Sequence, residues 1–584
     1  MNSDRKNSSR IAPGDLRLWQ LAILLGVALC FVGSVERGLW GSDEPRDAAI
    51  SLEMSHDGNF LIPHLAGVPF VEKPPLYFAV AAGCIRALGA FTGTTGAVRI
   101  CSALWGVGIL LMTWLLARRL AKGLTEGQTT ALSPGLFAAM ATVLLATMCE
   151  FIKNSHWIRV DITLAFFIIA ALWCFAEVYF ARRSRFLLWG AVFTAGAFLS
   201  KGMIGPALIG AGWAGMAVPW ILAERRAVGN SNFFLKQHAA GLVMLMLLTG
   251  VWAAALFFVG GREIFDEWFF RNQLGRITGT AHLGHEKPGQ WFFYIKGILS
   301  QTLPWTPLLL LWVVRVVADL RKRGMQALCP ERIFILAMIV GSLVILTVSV
   351  SKRSVYMLPL LPFLAVMCAD AILLRPARWN TVYFSILWWC CGIVLALCSV
   401  APLIIAVLPQ HLCMQYGLDA VTWSFWNGVS GLCLAGFFYL FYRTRPVVTY
   451  ACIALAIVAA SVCSYKVASP LLEAENSAEQ DIGTFIEQID PAQRPRIAGF
   501  NIPERMKGYF YSLAGWKIHH ARDEEQVEQI LNGDNSQFDS VIISGVGPPP
   551  LEKLAGKPWH VAASAEVGEK EHHVRYLLWV VPNR

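Results

Sequence analysis

Residues 38–77 read GLWGSDEPRDAAISLEMSHDGNFLIPHLAGVPFVEKPPLY. The stretch follows an apolar run and packs Asp43, Glu44, Arg46, Asp47, Glu53, His56, Asp57, His64, Glu72 and Lys73 into a chain otherwise poor in charge. Ionisable residues held beside membrane-spanning helices are costly and point to function. Ser42 or Asp43 is placed to cap a helix whose first turn tolerates Pro45, because the amide lost there has no partner. Ile50 and Met54 share a face, which predicts a short surface helix over 44–55. After the Asp57-Gly58 turn an extended arm runs to Glu72-Lys73-Pro74-Pro75, where the prolines fix the backbone around a carboxylate–ammonium pair.

The rest of the chain supplies the setting. Its 584 residues are 56% hydrophobic and only 15% charged, with a mean hydropathy of +0.52. That balance excludes a soluble multidomain protein. Many apolar runs reach about 20 residues, the length that crosses roughly 30 Å of hydrocarbon. The net charge of +10 would point to nucleic acid in a soluble protein. Here Lys and Arg clusters alternate with apolar runs, so the charge describes membrane topology instead.

The basic amino end (Arg5, Lys6, Arg10, Arg17) is expected to stay in the cytoplasm, and the first run reads as an uncleaved signal anchor. Hydropathy then predicts about 13 spans, near 18–35, 97–117, 133–150, 161–180, 186–199, 203–222, 239–259, 291–314, 333–350, 355–373, 382–407, 423–442 and 447–465. Residues 76–90 are too short to cross comfortably and read as a helix lying in the interface. Basic clusters close nearly every inward end, so the first loop and the carboxyl end are expected outside. The expected fold is an all-α polytopic membrane protein with a small C-terminal α/β extracytoplasmic domain. Its boundaries fall at 1–465, including the outer loop 36–96, and 466–584. All 14 cysteines precede the second domain, mostly inside spans, and only Cys413 falls clearly in an outer loop. No disulfide framework or zinc-finger spacing is indicated.

The outward ends of the spans collect a second polar set: Lys153, Asn154, His156, Arg159 and Asp161; Lys201; Arg262, Arg271, Arg276, His282, His285, Glu286 and Lys287; Lys352, Arg353 and Tyr356. Cations on the outer side run against the positive-inside rule. With Arg46 and Lys73 they would suit a phosphate at the membrane surface. The carboxylates Asp43, Glu72 and Asp161 are then available as base or metal ligand. Such a set suits group transfer from a lipid phosphate, whose leaving charge fixed cations stabilise better than water does.

These residues also carry a resemblance. Asp43-Glu44-Pro45-Arg46, then Gly58-Asn59-Phe60-Leu61-Ile62-Pro63-His64-Leu65, then Glu72-Lys73-Pro74-Pro75-Leu76-Tyr77 look like the first outer loop of polyprenyl-phosphate-dependent GT-C glycosyltransferases. That family includes the aminoarabinose–lipid A transferases, the branch that fits best, and the protein O-mannosyltransferases. Arg159-Val160-Asp161, Ser200-Lys201-Gly202, Arg276 before His285-Glu286-Lys287-Pro288, Ser351-Lys352 and Tyr356-Met357-Leu358-Pro359 follow in the family's order.

The resemblance covers residues 15–365 and implies a GT-C fold. It makes Asp43 and Asp161 the catalytic carboxylates and places Arg46, Lys73, Arg276 and Tyr356 around the donor phosphate. Lys201 and Lys352 would be further donor contacts. Glu72 and His285 would be ligands of a divalent metal (zinc, magnesium or manganese), with no nucleotide cofactor. The implied activity moves a sugar, such as 4-amino-4-deoxy-L-arabinose, from undecaprenyl phosphate to lipid A or another envelope acceptor at the periplasmic face of a bacterial inner membrane. Asp47 stands where the family usually has tyrosine, and Arg353-Ser354 replaces a typical Gly-Lys. The alternatives are transfer to protein Ser/Thr and, in another class, a lipid-linked sugar flippase without chemistry. Against the flippase, no inverted repeat or pair of interrupted mid-membrane helices is legible. A sensor-type receptor leaves the charged first loop unexplained.

Overall fold

The computed structural model describes residues 13–125, 133–227, 231–278, 290–373, 377–405, 429, 432–433, 446–546, 559–568 and 574–582. The chain divides into two compact units. One holds Met1–Val32, Glu72–Leu76 and Ser102–Ala468, and the other holds Gly33–Val71, Tyr77–Cys101 and Ser469–Arg584.

The first unit is helical and apolar, and the protein is a multi-pass membrane protein. Among the described residues, six helices are long and apolar enough to cross a bilayer: Leu76–Thr125, Val160–Ala181, Ile204–Leu222, Lys236–Leu274, Pro330–Val348 and Ser354–Ile372. Two bent pairs, Pro134–Ala146 with Cys149–Ser155 and Phe293–Gln301 with Thr306–Ala327, turn by 73° and 119° and raise the number to eight if each is one span. Shorter apolar helices at Trp19–Leu29, Phe186–Lys201, Ser385–Leu397 and Ala451–Lys466 stand where four further spans were expected. The expected span at 423–442 lies almost wholly outside the described residues.

Small residues let these helices approach closely. A Cβ on Gly215 would lie 2.4 Å from that of Ala337, and one on Gly341 would lie 2.7 Å from that of Ala211. Asp370, fully enclosed, accepts from Arg332 at 3.0 and 3.1 Å and from the Trp312 indole at 2.8 Å.

The second unit departs from the expected domain boundary. Residues 36–96 were grouped with the spans, yet most of them cluster with the C-terminal segment. Hydrogen bonds supply the reason. The Gly38 and Leu39 amides donate to Glu473 and Glu479 at 3.0 and 2.9 Å, and the Trp40 indole donates to Glu473 at 2.6 Å. The Tyr509 hydroxyl donates to the Leu39 carbonyl at 2.7 Å. Helix Glu504–Ala514 lies against helix Asp43–Asp57 so tightly that a Cβ on Gly508 would sit 2.5 Å from the Pro45 carbonyl.

The C-terminal part of this unit is α/β, as expected. A five-stranded sheet runs in the order His519–His520, Ile497–Phe500, Ser540–Val546, Val574–Pro582, Trp559–Gly568. The first three strands pair in parallel and the last two add antiparallel. Ala498, Val541, Leu578 and Val580 on the sheet pack with Val527, Ile530 and Leu531 of helix Glu524–Leu531. The helix at 504–514 and the strands at 497–500, 519–520 and 559–568 were not read from the sequence.

Candidate active site

The helix expected over 44–55 spans Asp43–Asp57 and ends, as the Asp-Gly turn predicts, on Gly58 at φ 70°. Its start differs from expectation. Ser42 makes no side-chain cap, and Asp43 already belongs to the first turn. The charged side chains of that turn bind cations instead. The Arg37 guanidinium grips Glu44 with two bonds of 2.7 Å, Arg99 adds a third at 3.0 Å, and the Trp40 amide a fourth at 2.8 Å. Arg99 also donates to the carbonyls of Arg37 and Gly38, both at 2.6 Å. Glu44 is fully enclosed. Burial alone would raise its pKa, but Arg99 and Arg37 overcome it and hold the carboxyl down at about 2.

Arg46, one turn along, is shared. It donates to Asp43 at 3.1 Å, to Asp47 at 2.9 Å and to Glu504 at 3.2 Å, with the Phe70 ring 5.5 Å from its centre. Asp43 is 3% exposed and Asp47 is fully buried, whereas the Glu504 side chain is half exposed. Further along the helix, Lys517 reaches Glu53 at 2.9 Å and Asp57 at 3.3 Å. Glu53 also accepts from the Gly67 amide at 3.0 Å. That bond steadies a two-residue hairpin, His64–Leu65 with Val68–Pro69, in what was expected to be a plain extended arm.

The other expected residues belong to the membrane unit. Asp161, 4% exposed, sits in the first turn of helix Val160–Ala181 and accepts a hydrogen bond from the Lys201 ammonium. The same ammonium lies 4.3 Å from the centre of the Tyr356 ring. Gly202 (φ 73°) turns the chain directly after Lys201, and the next amide, Met203, donates to Gln273 at 3.1 Å. Asn154 and Arg159 meet at 3.4 Å, and both Arg159 and Lys153 approach the Trp157 ring. Asp161, Lys201 and Tyr356 are therefore brought together.

Lys73 is buried and Glu72 half-buried, both in the membrane unit. Lys352, expected as a donor contact, spends two hydrogen bonds on the Thr347 and Ser349 carbonyls at 2.9 and 2.6 Å. It thereby closes the end of helix Pro330–Val348. Arg276 lies on the short helix Gly275–Thr278, and its side chain is outside the described residues, as are His282, His285, Glu286 and Lys287. Among the described residues, no three His, Cys, Asp or Glu side chains are placed to hold a metal.

Sequence reasoning passed over Arg37, Arg99 and Glu504. Arg99 carried a signal: it is a charge inside an apolar run. Glu504 carried none, because its partner is hundreds of residues away.

Residues 63–265 match the family described as dolichyl-phosphate-mannose-protein mannosyltransferase. The undecaprenyl phosphate-alpha-4-amino-4-deoxy-L-arabinose arabinosyl transferase of Pseudomonas paraeruginosa is 27% identical over 369 residues, covering 61% of this chain and 60% of the relative. Its counterpart in Pectobacterium atrosepticum is 28% identical over 365 residues, 60% of each chain. The chain spans about 60% of the length of the curated relatives it matches. The crystal structure of ArnT from Cupriavidus metallidurans bound to undecaprenyl phosphate is 17% identical, with a TM-score of 0.67 over 96% of this chain and 98% of that one. That likeness extends over both compact units and establishes the GT-C fold. Fold, family match and relatives agree with the order of motifs along residues 43–359, and over these residues the chain is similar to polyprenyl-phosphate-dependent glycosyltransferases, the aminoarabinose transferases among them.

Proposed function

We propose that this chain transfers a sugar from a polyprenyl phosphate, undecaprenyl phosphate by likeness to its relatives, to lipid A or another envelope acceptor. The reaction takes place on the outer face of a bacterial inner membrane. The observation that carries the reading is the first turn of the 43–57 helix, where buried Asp43 is held by Arg46 at 3.1 Å. A carboxylate and a guanidinium fixed in one place suit, respectively, an acceptor and a phosphate. The polyprenyl phosphate is already a good leaving group, so the protein has mainly to hold it and stabilise its charge.

Arg46, Lys73, Arg276 and Tyr356 take that role, with Lys201 bound to Asp161 beside the Tyr356 ring. Asp43 orients the acceptor and, if the acceptor is a hydroxyl, removes its proton. Glu72 and His285 are the proposed ligands of a divalent metal. Loss of turnover on chelation, restored by zinc or manganese, tests that assignment. A second reading, transfer to protein Ser/Thr, is favoured by the family description matched over 63–265.

Mass spectrometry of lipid A from cells with and without the chain decides between the two. A chain-dependent pentose-sized addition supports the main reading. Unchanged lipid A with newly glycosylated envelope proteins supports the second. Topology is tested by reporter fusions. Those near residues 122, 225 and 445 should report cytoplasm, and one at the carboxyl end should report the outer side. A cytoplasmic carboxyl end removes the outer-face reading.

A further inference from the structure

Two apolar helices of the membrane unit are broken, and their breaks meet. Pro134–Ala146 turns by 73° into Cys149–Ser155, and Phe293–Gln301 turns by 119° into Thr306–Ala327. The Trp305 indole in the second break donates to the Thr147 hydroxyl in the first at 3.0 Å. The Cys149 amide donates to the Leu303 carbonyl, also at 3.0 Å. A backbone amide at one break is thus paired with a carbonyl at the other, as backbone at membrane depth requires. The Thr302 and Thr306 hydroxyls bridge the second bend at 2.9 Å. Thr147 and Trp305 are 1% exposed and Thr302 is fully enclosed, so the joint is closed to water.

Gln301, 5% exposed, is the last helical residue before the second bend. Its side-chain nitrogen donates to the Ser354 carbonyl at 2.8 Å. A carbonyl can only accept, which fixes the amide with its nitrogen towards Ser354. Ser354 opens the 3-10 helix Ser354–Leu360, two residues before Tyr356. Such helices have poorer internal hydrogen bonds than α-helices, so an outside tether decides where their side chains stand. Four residues before Gln301, Gly297 leaves no room for a Cβ beside the Met357 side chain. The Tyr356 ring in turn has its centre 4.3 Å from the Lys201 ammonium that binds Asp161. The Gln301 oxygen has no partner among the described residues. A buried amide that is only half satisfied costs stability, and methionine would fill similar space without that cost. The value of the residue therefore lies in what its nitrogen holds.

We propose that Gln301 is a positioning residue of the donor site, holding Tyr356 beside Lys201 through the Ser354 carbonyl. The joint between the two breaks is its fixed anchor. The role rests on the proposed place of Tyr356 at the donor phosphate, and Gln301 itself touches no substrate.

The test is equilibrium binding of undecaprenyl phosphate to the full chain in detergent, with the melting temperature of each variant measured alongside. Gln301→Met should raise the dissociation constant about two- to tenfold, the span of one lost neutral hydrogen bond. Gln301→Asn draws the same amide back by one methylene and should weaken binding alike, which serves if the methionine variant does not accumulate. A merely structural role would lower the melting temperature and the number of binding-competent chains, not the affinity of those that remain. In a Tyr356→Ala background Gln301→Met should cost nothing further, because the tether acts through Tyr356. Unchanged affinity in folded Gln301→Met, or a cost that adds to that of Tyr356→Ala, overturns the proposal. Wild-type protein that does not bind undecaprenyl phosphate, or binds it no better than Tyr356→Ala, counts against the proposed function and takes this role with it. Binding that is weakened by Tyr356→Ala and untouched by Gln301→Met removes this role alone.

Discussion

The first turn of the 43–57 helix and the Asp161–Lys201 pair each bury a carboxylate against a cation, yet the two regions are built differently. Glu44 accepts four hydrogen bonds, three of them from planar guanidinium forks, and the Arg99 fork is itself fixed by two backbone carbonyls. Asp161 is held by the ammonium of one long, flexible side chain, with Arg159 and Arg353 adding charge from nearby. Asp43 lies between these extremes, bound to a guanidinium that also serves Asp47 and half-exposed Glu504. A carboxylate enclosed by rigid forks is a structural part. One whose cation has other partners is free to trade them for a ligand.

If that contrast holds, Asp43→Asn should cost turnover most, by about a hundred- to ten-thousandfold, while the protein inserts and accumulates normally. With a hydroxyl acceptor the residual rate should lose its dependence on a carboxylate ionisation. With a phosphate acceptor it should follow the acceptor's own titration. Full activity in a folded Asp43→Asn protein would pass the role to Asp161.

Glu44→Gln should do the reverse and act on stability. Leaving two guanidinium groups without their charge partner costs about 3–5 kcal/mol, visible as a fall in melting temperature or in the amount of folded protein. The pH dependence sharpens the point. The folded carboxyl titrates at about 2 against an ordinary 4.5. Its contribution, about 3 kcal/mol, is therefore complete above pH ~4.5 and lost as pH falls towards 2. Glu44→Gln should flatten acid unfolding in that window. An unchanged acid profile would mean that Glu44 is not the enclosed anion described here.

Lys73→Ala should weaken use of the polyprenyl donor about ten- to hundredfold, from the loss of a charge-assisted contact worth roughly 1.5–3 kcal/mol. Lys73→Arg should recover little, since a planar fork does not replace a compact ammonium. Donor titrations of the two variants check this, and unchanged donor affinity removes Lys73 from the phosphate site. The smallest effect is expected at Glu504→Gln. A half-exposed partner contributes about 0–1 kcal/mol, so the melting temperature should barely move. A large loss of stability would place Glu504 with Glu44 among the structural anions.

The legible part of this molecule was local or periodic. Hydropathy placed the apolar helices, and the Asp57-Gly58 and proline signals framed the first loop. Basic clusters such as Arg182-Arg183-Arg185 marked span ends. The motifs carrying Asp161, Lys201 and Tyr356 were read separately, and the fold brings them together. What could not be read depends on residues distant in the chain. Glu504 meets Arg46 across 458 positions. Gly93 differs in sequence from the ordinary glycines of a membrane helix in nothing visible, so the break in helix Leu76–Thr125 was hidden. The carbonyl contacts of Lys352 were hidden for a more general reason, because a lysine just past a helix is drawn to its unsatisfied carbonyls.

The bonds from Gly38 to Glu473 and from Leu39 to Glu479 join residues 435 and 440 positions apart. At roughly 5–20 residues per second, a ribosome needs on the order of twenty to ninety seconds to make the chain between them. During that interval every later span is made while the amides of Gly38 and Leu39 wait for their acceptors. The first loop is therefore among the earliest segments to be made and among the last to be completed. A translation pause or a premature stop anywhere before residue 473 leaves it unfinished, whatever the state of the spans in between.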